Sequence, residues 1–254
     1  MSQGVVDTHC HVGLHKYEPV ESLLFHMEQA QVGQAVLIQY MGNADNSYIV
    51  ECLERHPGRF CAAMIVAPED DGSQVRRWAE QGLGGIRLRP DARATGADSL
   101  AQWRAAAELD LVVSTLCSPE ALLGAAFTEV LAAFPDLRVV IEHLGGIGVG
   151  AEPPYETYKE VLQLAQRPNL SIKLPGFGEF CAPPHPFASV PPLAEMAIEA
   201  FGPQRVMWGS DYPPVSSREG YANSLEFPRS YLSDYSEAER AWIFGDAARA
   251  VWSF

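Results

Sequence analysis

The chain has 254 residues, of which 47% are hydrophobic and 20% charged, and its formal net charge at pH 7 is −14. This length and composition predict a soluble globular protein with a large core. The negative charge argues against a general nucleic-acid binder, whose binding surface is basic. Uninterrupted apolar stretches all fall short of the roughly eighteen residues that a membrane span requires.

The cysteine pattern favours a reducing compartment. The five cysteines are an odd number and contain no C-x-x-C pair; they are Cys10, Cys52, Cys61, Cys117 and Cys181. Reduced thiols fit this pattern better than a disulfide framework. No basic region followed by a long apolar run is visible at the start. We therefore expect a cytoplasmic protein and leave a homo-oligomeric state open.

Short apolar runs rich in Val, Ile and Leu alternate with longer segments of helical character. The runs lack strict polar alternation, as is typical of parallel strands that are buried on both faces. We predict eight strands, at Gly4 to His9, Gln34 to Gln39, Phe60 to Val66, Leu83 to Leu88, Leu111 to Thr115, Leu137 to Glu142, Leu170 to Leu174 and Arg205 to Trp208.

Helices are predicted between most of these strands. The segments Val20 to Gln31 and Ser47 to Arg55 have helical spacing, and the second precedes a Pro-Gly stop signal. Ser118 followed by Pro119 predicts a helix start, and a further helix is predicted from Ala188 to Phe201.

Eight strands separated by helices predict a (β/α)8 barrel, with residues 1–254 forming a single domain. A doubly wound open sheet is the main alternative. It would need a glycine-rich phosphate loop, which does not follow the first strand. The long irregular region from Gly176 to Pro192 lies after a predicted barrel strand, where active-site lids are commonly found.

The first strand leads into a His-x-His pair, His9 and His11. Because side chains alternate across a strand, both imidazoles should lie on the same side and Cys10 on the other. Two neighbouring imidazoles suit a divalent metal ion. A chance surface pair is the alternative interpretation of this motif taken alone.

Polar residues also mark the ends of later predicted strands, where barrel enzymes place their functional groups. An Asp in such a position can bind a metal or accept a proton from water, although it can also simply stabilise a turn. A lysine in an apolar strand is costly to bury without a partner, which favours a site role or a carboxylate pair. These residues are Arg87, Arg89, His143, Lys173 and Asp211.

Several motifs together resemble the amidohydrolase superfamily, and specifically its amidohydrolase-2 branch of lactonases and amino-carboxymuconate semialdehyde decarboxylase-like enzymes. The resemblance covers essentially the whole chain. It is carried by Val6-Asp7-Thr8-His9-Cys10-His11, Pro57-Gly58-Arg59-Phe60, Phe134-Pro135-Asp136-Leu137-Arg138, Glu142-His143-Leu144-Gly145-Gly146, Met207-Trp208-Gly209-Ser210-Asp211-Tyr212-Pro213 and Ile243-Phe244-Gly245-Asp246-Ala247-Ala248-Arg249.

The resemblance implies roles for the residues at the strand ends. His9 and His11 match the metal ligands of the first strand, and Asp211 matches the ligand or general base of the last strand. His143 matches a histidine that serves as base, electrophile or ligand. Substrate contacts are the expectation for the cations Arg87, Arg89 and Lys173.

One departure from the branch concerns the metal. Many metal-dependent relatives have a histidine ligand at the end of the fifth strand, but this chain has the sequence Val112-Val113-Ser114-Thr115-Leu116-Cys117 there. The fourth strand has no lysine to bridge two metals. We therefore expect one divalent ion, such as zinc or manganese, held by His9, His11 and Asp211 with His143 or water, or else a metal-free site.

The resulting hypothesis is a hydrolase that opens a small carboxylate-bearing ester, in particular a lactone, with a water activated by Asp211. Arg87 or Lys173 would hold the substrate carboxylate, with no nucleic acid or membrane as partner. The first alternative is a metal-dependent non-oxidative decarboxylase of an aromatic or muconate-type acid. The second is a barrel that binds a ligand without catalysis.

Overall fold

Eight parallel strands form one sheet in the computed structural model, which describes residues 4–254. Each strand pairs with the next along the chain, from β1 with β2 to β7 with β8. The strands are β1 (Val5–Cys10), β2 (Val32–Ile38), β3 (Phe60–Met64), β4 (Gly85–Leu88), β5 (Val112–Thr115), β6 (Val139–Ile141), β7 (Leu170–Pro175) and β8 (Val206–Gly209).

The last strand returns to the first, so that the sheet curves into a barrel. Just beyond β8, the Asp211 amide donates to the His9 carbonyl at 2.9 Å, and the His11 amide donates to the Tyr212 carbonyl at 2.8 Å. Cys10 and Tyr212 form a parallel bridge at the same place. The predicted (β/α)8 fold is confirmed, and the doubly wound open sheet is excluded because its strands would not follow one another in chain order.

Helices connect the strands on the outside of the barrel. The predicted helix at Ser47–Arg55 is confirmed, and Ser118 caps the helix that starts at Pro119 by accepting from the Ala121 amide at 3.4 Å. The α-helices are Val20–Gln29, Ser47–Arg55, Ser73–Ala79, Ala101–Glu108, Pro119–Leu123, Ala125–Ala133, Glu156–Leu162, Leu193–Phe201, Tyr221–Tyr231, Glu237–Ala241 and Ala247–Val251. Within residues 4–254, no helix combines the length and apolar character needed to cross a bilayer.

One predicted helix starts later than expected. It begins at Leu193 rather than Ala188, because Pro191 and Pro192 disfavour the helical conformation in the residues before them. The region from Gly176 onward is irregular, as predicted, apart from one short 3₁₀ turn at Phe177–Glu179.

The barrel interior is apolar at its amino-terminal end. Val6, Ala63 and Met207 belong to one buried cluster, and Trp252 joins them from beyond the last helix. Trp252 lies against Gly85 of β4, where a side chain would come within 2.7 Å of the indole ring. The carboxyl-terminal segment therefore closes this end of the barrel, and the polar side chains collect at the other end.

An irregularity in β1 brings the His-x-His pair to the inner face. Val6 faces the barrel interior, and regular alternation would place His9 on the opposite face because the two are three residues apart. The pairing of β1 with β2 shifts register between Asp7 and Cys10, which reverses the alternation. Cys10 accordingly belongs to the outer core cluster, as the sequence predicted.

Candidate active site

His9 and His11 lie side by side at the carboxyl end of the barrel. Their Nε2 atoms are 3.2 Å apart, and both side chains are almost fully buried. The His11 Nδ1 atom lies 2.7 Å from the Ile38 carbonyl oxygen. Because that oxygen can only accept, Nδ1 carries the proton of the neutral ring and His11 Nε2 presents a lone pair to the site.

Asp211 faces both histidines from the loop after β8. Its Oδ1 atom is 3.8 Å from His9 Nε2 and 3.5 Å from His11 Nε2. Asp211 has a φ of 57°, a left-handed conformation that Asp tolerates better than most residues. Gly209 allows the end of β8 to lie close to β1, because a side chain there would come within 2.9 Å of the His9 backbone nitrogen.

A second group of side chains surrounds Asp211 on the solvent side. Arg218 donates to Asp211 Oδ2 at 3.2 Å and to Glu179 Oε1 at 3.2 Å. The other Glu179 oxygen is 3.0 Å from His143 Nδ1. His143 lies against His9, with ring centroids 4.4 Å apart. Arg218 thus joins the loop after β7 to the loop after β8 across the mouth of the site.

Below the histidines, a buried network links four strands. Lys173 lies 3.1 Å from His9 Nδ1 and donates to the Ser114 hydroxyl at 2.9 Å. Ser114 donates to Glu142 at 2.7 Å, and Arg87 holds both oxygens of the same carboxylate at 2.7 to 3.2 Å. Two cations and one carboxylate therefore share a region almost closed to solvent.

Burial and the neighbouring charges shift the pKa values of this network. Burial lowers the pKa of Lys173 to about 8, against the opposing effect of Glu142. Burial raises the pKa of Glu142, but the charges of Arg87 and Lys173 outweigh it and hold that pKa at about 2. Burial, followed by the Lys173 charge, lowers the pKa of His9. His9 is therefore neutral at pH 7.

The pKa values of the groups at the mouth are shifted by their own neighbours. Burial opposes the charged form of His143, but the adjacent Glu179 carboxylate outweighs it and raises the pKa of His143. Burial likewise opposes ionisation of Asp211, but the contact with His11 and the positive charges of the neighbouring His143 and Arg218 lower its pKa. Asp211 is therefore a carboxylate at neutral pH.

The structure brings together His9, His11, His143, Lys173 and Asp211, all of which the sequence predicts at the site. Arg87 lies below them, paired with Glu142. Arg89 lies apart, because its guanidinium pairs with Asp91 at 3.0 Å and both side chains are about half exposed. Two residues that are two positions apart share a face only within a strand, and β4 ends at Leu88. Arg89 therefore does not have to face the same side as Arg87.

Three further residues at the mouth were not predicted individually. Glu179 lies inside the predicted lid region, and Arg218 follows Asp211 by seven positions. Tyr17 follows His11 by six positions and stacks on its ring, with centroids 5.1 Å apart and planes inclined by 12°. All three lie in loops after barrel strands, which is a signal that is available from the sequence but does not single out a residue.

The donor set at the histidines fits a single divalent cation. The ligand atoms of His9, His11 and Asp211 lie within 4.8 Å of one another. Two nitrogens bound at about 2.0–2.1 Å to one tetrahedral zinc ion are roughly 3.3 Å apart, close to the separation of the two Nε2 atoms. The contact of His11 Nδ1 with a backbone carbonyl is the support that metal-ligating histidines usually have.

Lys173 adds one condition to this fit. His9 Nε2 has a lone pair for a metal only when the ring proton is on Nδ1, which then faces Lys173 Nζ at 3.1 Å. An ammonium group cannot accept that proton in a hydrogen bond, whereas a neutral amine can. The lowered pKa of Lys173, about 8, makes the neutral amine accessible near physiological pH.

Comparison with known proteins identifies the family. The chain matches the family model Amidohydro_2, described as amidohydrolase, over residues 6–254. The protein therefore belongs to the amidohydrolase family, as its sequence motifs predict.

Individual relatives are more distant. The chain is 26% identical over 207 residues to 4-sulfomuconolactone hydrolase of Hydrogenophaga intermedia, covering 77% of this chain and 65% of that enzyme. It is 30% identical over 112 residues to L-fucono-1,5-lactonase of Burkholderia ambifaria, covering 44% of this chain and 38% of that one. The chain thus spans less than two thirds of the length of either relative.

Solved structures support the same fold. A probable 2-pyrone-4,6-dicarboxylic acid hydrolase from Acinetobacter baumannii, with citric acid bound, superposes with a TM-score of 0.78 and 19% identity over the full length of both chains. At this level of identity the likeness supports the barrel architecture.

Proposed function

We propose that this protein is a lactone hydrolase that opens a small cyclic ester with an activated water. The observation that carries the proposal is the position of the Asp211 carboxylate. One oxygen faces the Nε2 atoms of both His9 and His11 at 3.8 and 3.5 Å, and Arg218 holds the other at 3.2 Å. The two relatives described above are named as a lactone hydrolase and a lactonase, which favours this reaction over others in the family.

Asp211 is the residue that takes the proton from the attacking water. It is ionised at neutral pH, and its Oδ2 is fixed by Arg218, so Oδ1 is the oxygen available to the site. General-base catalysis by a positioned carboxylate typically contributes a factor of about 10²–10⁴.

His143 acts on the carbonyl oxygen and on the leaving group. Glu179 favours its protonated form, which can donate to the carbonyl oxygen as negative charge develops there. The same proton can pass to the alkoxide that leaves when the ring opens, which regenerates a neutral imidazole.

The predicted divalent ion has a place in this scheme at His9, His11 and Asp211, and we propose zinc or manganese. When bound, such an ion polarises a carbonyl oxygen and lowers the pKa of a coordinated water. The buried ion pair of Arg87 with Glu142 positions Ser114 and Lys173 beneath His9, which maintains the orientation of that ring.

A cytoplasmic location is part of the proposal. All five cysteines are free thiols, and four of them are buried. Free cysteines in this number fit a reducing compartment.

Turnover of a small panel of cyclic esters tests the function. We expect proton release at constant pH from at least one of 4-sulfomuconolactone, 2-pyrone-4,6-dicarboxylic acid and L-fucono-1,5-lactone. The Asp211→Asn variant should lose kcat by a factor of about 10³, within the range of general-base effects. Asp136→Asn, an exposed Asp before β6, is the matched control and should retain wild-type rates.

Three results would refute the proposal. They are the absence of hydrolysis of every member of the panel, full activity in Asp211→Asn, and release of CO2 from an aromatic or muconate-type acid in place of ester hydrolysis. The last result would support the decarboxylase alternative.

A further inference from the structure

Tyr17 forms an aromatic wall over the site. Its ring stacks on His11 at 5.1 Å, and Tyr40 meets Tyr17 edge-on at 5.6 Å. Because His11 Nε2 lies 3.5 Å from Asp211 Oδ1, the ring that stacks on His11 also borders the catalytic carboxylate. A substrate bound near Asp211 therefore lies close to this wall.

The loop that carries Tyr17 is closed by two contacts. The Gly13 amide donates to the Glu18 carbonyl at 2.9 Å, and the Tyr212 hydroxyl donates to the Glu18 carboxylate at 2.7 Å. Tyr17 itself has a φ of 70°, in a region that bulky residues rarely adopt. The two contacts hold the aromatic ring against His11 in spite of this local cost.

Lys16 lies over the rings of this wall without a carboxylate partner. Its ammonium nitrogen lies 5.1 Å from the centroids of both the Tyr17 and the Tyr40 ring. These are cation–π contacts, which place the charge without neutralising it. Within residues 4–254, Lys16 makes no ion pair, and its side chain is exposed.

The other cations near the site are already neutralised or buried. Arg87 holds Glu142, and Lys173 is only 1% exposed and bonded to Ser114. Arg218 is shared between the carboxylates of Asp211 and Glu179. An anion approaching this acidic chain would gain most from a cation that has no counter-ion of its own.

We propose that Lys16 is a specificity-determining residue that binds the anionic substituent of the substrate, a carboxylate or sulfonate, at the rim of the wall formed by Tyr17 and Tyr40. The inference rests on the proposed function and refines it: the substrate is an anionic lactone. Arg87 and Lys173 then support the site from below, and recognition of the anion occurs at its mouth.

Substrate selectivity tests the proposal. The measured quantity is the ratio of kcat/KM for 4-sulfomuconolactone to kcat/KM for L-fucono-1,5-lactone. In Lys16→Met, we expect this ratio to fall about fivefold, which corresponds to the loss of one exposed charge contact. The fall should come from a higher KM for the anionic lactone. Charge reversal in Lys16→Glu should lower the ratio further, and Lys16→Arg should restore it. Added NaCl should raise KM for the anionic lactone more in the wild type than in Lys16→Met.

Lys159 provides the matched control. It is an exposed lysine on the helix Glu156–Leu162, and it pairs with Glu156 there. Lys159→Met and Lys159→Glu change the net charge of the protein by the same amounts and should leave the selectivity ratio at the wild-type value. Equal effects of the Lys16 and Lys159 variants, or preferential hydrolysis of the neutral lactone by the wild type, would overturn the proposal.

A binding measurement separates this proposal from the proposed function. Asp211→Asn protein is titrated calorimetrically with 4-sulfomuconolactone, with and without the additional Lys16→Met substitution. We expect Kd to rise about fivefold in the double variant. An unchanged Kd, or no binding of the anionic lactone at all, contradicts the role of Lys16. Absence of lactone turnover by the wild type contradicts the hydrolase assignment instead.

Discussion

The charge of Glu142 is held by buried partners on several strands. Its side chain is fully buried, and its oxygens accept from Arg87 and Ser114. Lys173 in turn donates to the Ser114 hydroxyl. A buried pair of this kind is costly to break, because the surviving charges have neither a partner nor water. The residue therefore matters for stability whether or not it contacts substrate.

Removal of that charge should destabilise the fold. We expect Glu142→Gln to lower the free energy of unfolding by about 3–5 kcal/mol, because Arg87 and Lys173 lose their buried counter-charge. Urea denaturation at pH 7 measures the change. Glu129→Gln, which removes the partner of Arg93 at the surface, is the control and should cost less than about 1 kcal/mol.

The same pair predicts a pH dependence. The pKa of Glu142 is about 2 in the folded protein against an ordinary value of 4.5. A depressed pKa contributes stability that is fully present above the ordinary value and is lost as the pH falls towards the folded value. The stability difference between wild type and Glu142→Gln should therefore narrow from pH 4.5 towards pH 2. A constant difference over that range would contradict the assignment.

At the scale of elements, the short turn after β6 determines where His143 points. Residues 143–146 all have positive φ, with values of 48°, 50°, 76° and 77°. Gly146 packs against the carbonyl oxygen of Cys117, which would be 2.5 Å from an added Cβ atom. The Glu142-His143-Leu144-Gly145-Gly146 motif thus places a histidine beside Glu179 through backbone conformation.

Gly146→Ala should disturb this turn. We expect a loss of about 1–3 kcal/mol in unfolding free energy, because alanine is strained at this φ and collides with a backbone atom. The value of kcat for a hydrolysed lactone should fall with it, since His143 moves. Gly148→Ala is the control, because nothing lies within 4 Å of its added Cβ atom. Equal stability of the two variants would show that the turn relaxes without cost.

At the scale of the whole molecule, the site joins the two ends of the chain. His9 and His11 come from the first strand, and Asp211 follows the last one, so a cation bound by all three spans the seam between β1 and β8. A ligand that binds only the folded state stabilises it by mass action. The barrel as a whole should therefore respond to metal.

Thermal unfolding measures that response. At a free zinc concentration of about 100 times Kd, we expect a stabilisation of about 2.7 kcal/mol, measured as an increase in Tm. His11→Asn should abolish the increase, and His15→Asn, at an exposed histidine, should not. If zinc fails to raise Tm in the wild type, or raises it equally in His11→Asn, the ion is not held by this donor set.

Much of the molecule was predictable from local sequence features. Eight apolar runs separated by helical segments predict the barrel, and the strand-end rule predicts that His9, His143 and Asp211 meet. Both depend on properties of short segments, namely hydrophobic periodicity and position relative to a strand end. The structure confirms that these residues lie together.

The pairing of charges depended on the tertiary structure alone. Arg87, Lys173 and Arg218 are all cations after or within barrel strands, and the sequence does not show which carboxylate each of them faces. Distances across the barrel do so, because an ion pair depends on which side chains from different strands come within about 4 Å. Local sequence features thus predicted the barrel and the meeting of His9, His11, His143, Lys173 and Asp211 at its carboxyl end, but not Tyr17, Glu179 or Arg218. Contacts across the barrel neutralise Arg87 and Arg218, and they leave Lys16 without a counter-ion among residues 4–254.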